Sequence, residues 1–122
     1  MKTGDNQDLW QVLSKNIGKF QNILKEADFD FGFRTINEII RFMIVAWKYE
    51  KEPTKWNDWE RYFDAQIMQK MLPKLHGSQK ELSKVLEELE KECINGKFRS
   101  STEKIKRMRK TLQEKRYVSF TG

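Results

Sequence analysis

The spacing of the apolar residues constrains this chain most, because they recur every three or four positions along most of its length. Such spacing places them on one face of an α-helix, and capping or turn residues interrupt the pattern four times. The sequence therefore predicts five helices. Their apolar stripes comprise Leu9, Leu13, Ile17, Phe20 and Leu24; residues 36–47; Trp59, Phe63, Ile67, Met68, Met71 and Leu72; Leu82, Val85, Leu86, Leu89 and Cys93; and Ile105, Met108 and Leu112.

A chain of 122 residues has room for one domain, so we expect residues 1–122 to form a single all-α bundle of about five helices. Charged residues make up 34% of the chain, as expected for a bundle with many exposed helix faces. The end of the chain, 117–120, alternates apolar and polar side chains, which favours a short extended segment. The pattern requires no strand elsewhere.

Helix two is the most apolar of the predicted helices. It runs from about residue 34 to residue 51, and a capping box of Thr35 and Glu38 is expected to open it. A helix that is apolar on most sides is usually buried, so we expect helix two at the centre of the bundle.

Helix three carries an unusual carboxylate and ends at a proline. Asp64 borders its apolar stripe, and we expect this residue to act as a buried structural cap. Pro73 is expected to tighten the last turn, and Gly77 to close it. His76, just before that glycine, is expected at the helix end, where a cation or a hydrogen-bond donor interacts favourably with the last carbonyl groups.

Few side chains suited to catalysis occur in the sequence. Cys93 and His76 are the single cysteine and the single histidine, and the chain has neither a phosphate-binding P-loop nor a nucleophile elbow. No Cys/His cluster is present to hold zinc. We therefore expect no catalytic residue, no metal and no cofactor in the chain itself, and no enzyme activity of its own.

The sequence also bears on the compartment. Its most apolar run, 36–47, contains three polar residues and is shorter than the roughly 20 apolar residues that cross a bilayer. Residues 1–8 are polar and lack the apolar core of a signal peptide. A lone cysteine cannot form an internal disulfide. These features predict a cytoplasmic protein without a membrane partner.

Positive charge is concentrated near the C-terminus. Residues 97–116 contain nine basic residues against Glu103 and Glu114, a net charge of +7, which leaves −1 for the rest of the chain. Such a band can bind nucleic acid or dock an acidic neighbour, and it can equally be a solvated helix face. The candidate contact residues are Lys104, Lys106, Arg107, Arg109, Lys110 and Arg116.

Two stretches resemble one known family. Residues 29–43 contain the order Gly-aromatic-Arg-x-x-Asn-Glu-Ile, and residues 59–78 contain the order Asp-x-Gln-Ile-x-Gln-Lys-x-Leu-Pro-Lys-Leu-His-Gly-Ser. Both orders are similar to those of McrB-like proteins, the AAA+ NTPases of methylation-dependent DNA restriction systems. The resemblance extends over about residues 8–120 and is strong only at 29–78.

The resemblance implies a helical lid, which in that family follows the nucleotide-binding core and packs against it. Arg34 stands where the lid's nucleotide-sensing arginine is expected, and its alternative role is that of a surface or turn-stabilising residue. The implied partners are an AAA+ core that binds GTP or ATP and the neighbouring subunits, whereas the family's recognition of methylated DNA lies in other regions and does not carry over to these residues. Walker A, Walker B and the first sensor do not occur in the sequence, so hydrolysis does not carry over.

Overall fold

The computed structural model describes residues 1–29 and 31–120. Within these ranges the fold is a bundle of five α-helices with two pairs of short strands, and the helical prediction is confirmed. The helices are α1 (Leu9–Glu26), α2 (Phe33–Tyr49), α3 (Trp59–Gln66), α4 (Gln79–Asn95) and α5 (Arg99–Lys115). The strands are β1 (Lys2–Thr3), β2 (Lys55–Trp56), β3 (His76–Ser78) and β4 (Tyr117–Ser119).

The bundle is built around the pair α4 and α5, which pack along each other. α1 lies against α4, and α3 lies between α5 and α2. One aromatic cluster joins these elements, with the ring centroids of Phe63 and Phe98 5.2 Å apart and Phe20 beside both. The turn between α4 and α5 needs Gly96, because a Cβ there would lie 2.2 Å from the Phe98 ring. The predicted inward stripes of α1, α4 and α5 are all buried.

Asp64 caps a helix other than its own. Its carboxylate accepts hydrogen bonds from the backbone N–H groups of Ser100 and Ser101, at 2.8 and 2.9 Å, and from the Ser101 hydroxyl. These N–H groups belong to the first turn of α5, where helices leave donors unpaired and where the dipole favours an anion. Asp64 is only 6% exposed. The expectation of a buried structural cap is therefore confirmed.

The segment after α3 changes its winding twice. Residues Ile67–Met71 form a π-helix and Leu72–Lys74 a 3₁₀ turn, so Pro73 tightens the helix end as predicted. Gly77 does not close the helix as expected, whereas His76 lies beside the helix end as expected, with its Nδ1 3.3 Å from the carbonyl oxygen of Lys74, the last residue of the 3₁₀ turn. Both lie in β3, which pairs antiparallel with β4, and Gly77 has a positive φ of 145°. The helix ends earlier because Leu75 is already extended.

Two expectations for α2 were wrong. The helix begins at Phe33 after Gly32, so Thr35 lies inside it and Glu38 forms no capping box. α2 is also not central, because only three of its residues are buried and its main helical neighbour is α3. The central place belongs to α4 and α5. The three buried residues are Ile39, Met43 and Ala46.

The short strands hold the segments before α1 and after α5 against the bundle. β4 confirms the extended segment predicted near the C-terminus, and its partner β3 precedes α4. β1 pairs in parallel with β2, which leads into α3. The sequence pattern did not require β1, β2 or β3, because strands of two or three residues are too short to show an alternation.

We expect the Asp64→Asn substitution to lower the free energy of unfolding by about 2–4 kcal/mol, because an amide cannot offer two acceptor oxygens to the α5 donors. Urea denaturation followed by circular dichroism measures this change. Asp58→Asn is the control, since the Asp58 carboxylate is exposed and pairs only with Arg61. A loss at Asp64 no larger than that at Asp58 would contradict the cap.

The Cys93 thiol is expected to be inert in the folded protein. It is fully buried on α4, and burial raises its pKa to about 12, with Asp64 and Glu92 adding to the shift. Because the thiolate is the reactive form, we expect a thiol-specific reagent at pH 8 to label Cys93 only after unfolding. Mass spectrometry of labelled protein with and without urea tests this, and rapid labelling of the native chain would contradict it.

Candidate functional site

Arg34 lies in the first turn of α2 and projects into solvent. Its side chain is 95% exposed, and its Nε lies 3.4 Å from Oε1 of Glu38, one turn further along the helix. Glu38 in turn accepts a hydrogen bond from Nζ of Lys70, which belongs to the π-helix. This series of charges links the start of α2 to the segment that follows α3.

Lys70 stabilises the ionised form of Glu38, the central member of this series. The hydrogen bond and charge of Lys70, with a smaller contribution from Arg34, hold the pKa of Glu38 below its usual value. The Glu38 carboxylate, which is ionised at neutral pH even without this shift, lies beside Nε of Arg34. No other described residue pairs with Arg34, so its two terminal nitrogens are free to bind an anion.

The basic residues of α5 divide into two groups. Lys106, Arg107 and Lys110 are exposed on the side away from the buried stripe, and no described carboxylate forms an ion pair with any of them. Lys106 and Lys110 lie one turn apart, and Arg107 lies between them. These three residues, together called the α5 outer row, form a continuous cationic surface.

The other three candidate residues on α5 and at its end contact neighbouring side chains. Arg109 is half-buried and donates to Glu90 of α4 at 3.2 Å. Nζ of Lys104 lies 4.6 Å from the centre of the Phe120 ring, in a cation–π contact. Arg116 follows the last residue of α5 with a left-handed backbone conformation, and its guanidinium donates a hydrogen bond to Oε1 of Gln79 at 3.3 Å.

The described residues contain little that suggests catalysis or metal binding. No three His, Cys, Asp or Glu side chains among them gather closely enough to hold a metal ion. His76 is exposed on β3, where its Nδ1 lies 3.3 Å from the carbonyl oxygen of Lys74. None of the described helices is both long and apolar enough to cross a membrane.

Two features of the site escaped the sequence analysis. Lys70 and Glu38 are 32 positions apart, and no local pattern connects them. Gln66 lies at the junction of α3 and the π-helix, 1% exposed, and no hydrogen-bond partner for its Oε1 occurs among the described residues. Its side chain helps to line a groove of about 330 Å³ between α2 and the π-helix. Only the resemblance-based assignment of Arg34 pointed to this part of the chain.

Comparisons with known proteins place the chain in one family. No curated protein and no solved structure gives a significant match to it. A domain family described as "Domain of unknown function (DUF8727)" matches residues 1–117, nearly the whole sequence, and the chain belongs to this family.

Proposed function

We propose that this chain is a helical lid and interaction module of a McrB-like AAA+ NTPase, and that it acts with a nucleotide-binding core that carries the P-loop. The proposal has two supports. One is the resemblance of residues 29–43 and 59–78 to that family. The other is the geometry of Arg34, described above.

The orientation of the Arg34 guanidinium carries the proposal. Oε1 of Glu38 lies 3.4 Å from Nε, and the Arg34 side chain is 95% exposed, with no described partner for its two terminal nitrogens. A guanidinium held in this manner presents a planar pair of donors that matches two phosphate oxygens. The position in the first turn of a helix adds a favourable field for an anion.

The chain would contribute position rather than chemistry. When a core carrying a nucleotide meets α2, Arg34 would contact the terminal phosphate and stabilise its negative charge. The Glu38–Lys70 ion pair would transmit the position of α2 to the segment after α3, because it joins these two elements. Nucleotide state and helix position are coupled in this way.

We expect Arg34→Ala to weaken nucleotide binding by the combined protein roughly tenfold or more, as for the loss of a charge-assisted hydrogen bond. The measurement titrates a fluorescent, non-hydrolysable GTP or ATP analogue into a McrB-like core lacking its lid, with and without this chain. The wild-type chain is expected to tighten binding.

Arg99→Ala is the matched control, because Arg99 is an exposed arginine in the first turn of a different helix. It is expected to leave nucleotide binding unchanged. The proposal fails when the wild-type chain does not associate with the core, or when Arg34→Ala and Arg99→Ala have equal effects.

The α5 outer row supports a second candidate function, the binding of nucleic acid. The specific observation is that Lys106, Arg107 and Lys110 share one exposed surface and form no ion pair with a described carboxylate, although Glu103 and Glu114 lie one turn before and one turn after them on α5. When such a row neutralises DNA phosphates, the counterions of those phosphates are released, and the binding affinity therefore depends steeply on salt concentration.

We expect the triple substitution Lys106→Ala, Arg107→Ala and Lys110→Ala to reduce the slope of log affinity against log salt by about 2–3, since three phosphate contacts are lost. Fluorescence anisotropy with a labelled DNA duplex of about 20 base pairs measures the slope. The control removes the same charge from exposed positions of α4, namely Lys80, Lys84 and Lys91. Equal slopes for both triple variants would exclude the α5 outer row as the contact.

A further inference from the structure

We infer that one flank of α2 docks an acidic amphipathic helix of a protein partner. The flank, called here the α2 apolar row, follows the helix at intervals of three and four residues. It is distinct from the stripe that enters the core. Its members are Phe33, Ile36, Ile40, Ile44 and Trp47.

The α2 apolar row lies at the boundary between core and solvent. Phe33 is 83% exposed, whereas Ile40 and Ile44 are half-buried and are not among the side chains that make up or contact the described core. Ile36 and Trp47 pack against the edge of that core. An apolar ridge of this kind offers a surface on which a second helix can pack.

A row of cations runs parallel to the ridge. Arg34, Arg41 and Lys48 follow one another at seven-residue intervals and are exposed, about a quarter turn around the helix from the apolar row. No described carboxylate pairs with Arg41 or Lys48. A partner that covers the apolar row must therefore bring these cations close to its own side chains.

The seven-residue spacing of the cations indicates the shape and charge that the partner needs. Seven residues of α-helix span about 10.5 Å, and two helices that cross at about 20° keep this repeat in register. A partner helix with leucine-like residues on its seam and carboxylates every seven residues beside it would satisfy both rows. This is the arrangement by which flanking charges choose partners in coiled coils.

A membrane surface fits the same face less well. Amphipathic helices bury their apolar side about 5–10 Å into the interface. α2 cannot enter the interface to this depth, because its opposite side packs against α3. The polar side chain of Asn37 also lies on the exposed surface between the two rows. The inference goes beyond the nucleotide contact proposed above, since Arg41 and Lys48 lie about 10 and 21 Å along the helix from Arg34.

The test uses two synthetic peptides of about 21 residues, each with leucine at both seam positions of three heptads. One peptide carries glutamate at the flanking positions and the other carries lysine. Each is titrated into the full ¹⁵N-labelled chain, and amide shifts are recorded by NMR. We expect the acidic peptide alone to bind, with the largest shifts between residues 33 and 48.

Two double variants with the same change of charge locate the contact. Arg41→Glu with Lys48→Glu is expected to weaken binding of the acidic peptide by about tenfold or more, whereas Lys106→Glu with Lys110→Glu on α5 is expected to have a much smaller effect. Ile40→Ala with Ile44→Ala removes apolar surface while keeping residues that favour a helix, and is also expected to weaken binding. Dispersed NMR spectra verify that each variant is folded.

Several results would overturn the inference. These are equal affinity for the two peptides, no binding of the acidic peptide, shifts that map to residues 99–116, or equal weakening by the two charge-reversal pairs. Binding to vesicles containing about a quarter phosphatidylglycerol, abolished by the α2 pair, would assign the face to a membrane instead. Concentration-dependent dimerisation abolished by the Ile40/Ile44 pair would assign it to a second copy. None of these results changes the interpretation of the Arg34→Ala experiment, which measures the affinity for nucleotide.

Discussion

The buried carboxylate of Asp64 is the interaction on which the arrangement of this bundle depends. A carboxylate removed from water is costly unless donors surround it, and here the first turn of α5 supplies them. Because the acceptor belongs to α3 and the donors to α5, the contact fixes these two helices to each other, although Asp64 and Ser100 lie 36 positions apart in the sequence. Phe98, which precedes these donors, packs on Phe63, one residue before Asp64. Polar and apolar contacts therefore set the same geometry.

The two candidate surfaces differ in how firmly the bundle supports them. α5 is held by the Asp64 cap, by α4 along its length and by the Arg109–Glu90 ion pair, so the α5 outer row sits on a rigid base. α2 is attached mainly to α3, and the Glu38–Lys70 ion pair is its polar link to the π-helix. The proposed nucleotide contact of Arg34 and the proposed nucleic-acid contact of the α5 outer row therefore rest on helices that are attached to the bundle in different ways.

Sequence reasoning succeeded where the determinants are local and failed where they are not. The inward stripes of α1, α4 and α5 and the effect of Pro73 depend on residues within one or two turns, and each was predicted. Asp64 was predicted as a buried cap, but not its partner. The Thr35–Glu38 capping box failed because α2 begins before Thr35, at Phe33 after Gly32, and Glu38 instead pairs with Lys70 from another element. The half-buried positions of Lys104 and Arg109 likewise depend on Phe120 and Glu90.

The central position predicted for α2 failed for a reason that bears on function. The prediction assumed that every apolar residue of the helix is buried within this chain, and the bundle buries Ile39, Met43 and Ala46 while leaving the α2 apolar row at its edge. Apolar surface at the edge of the bundle is the observation from which docking of a partner on α2 is proposed. The cations spaced along the same helix oppose burial against a second apolar core, because each would need a counter-charge. The proposed partner helix, apolar along one line and acidic beside it, would satisfy both requirements.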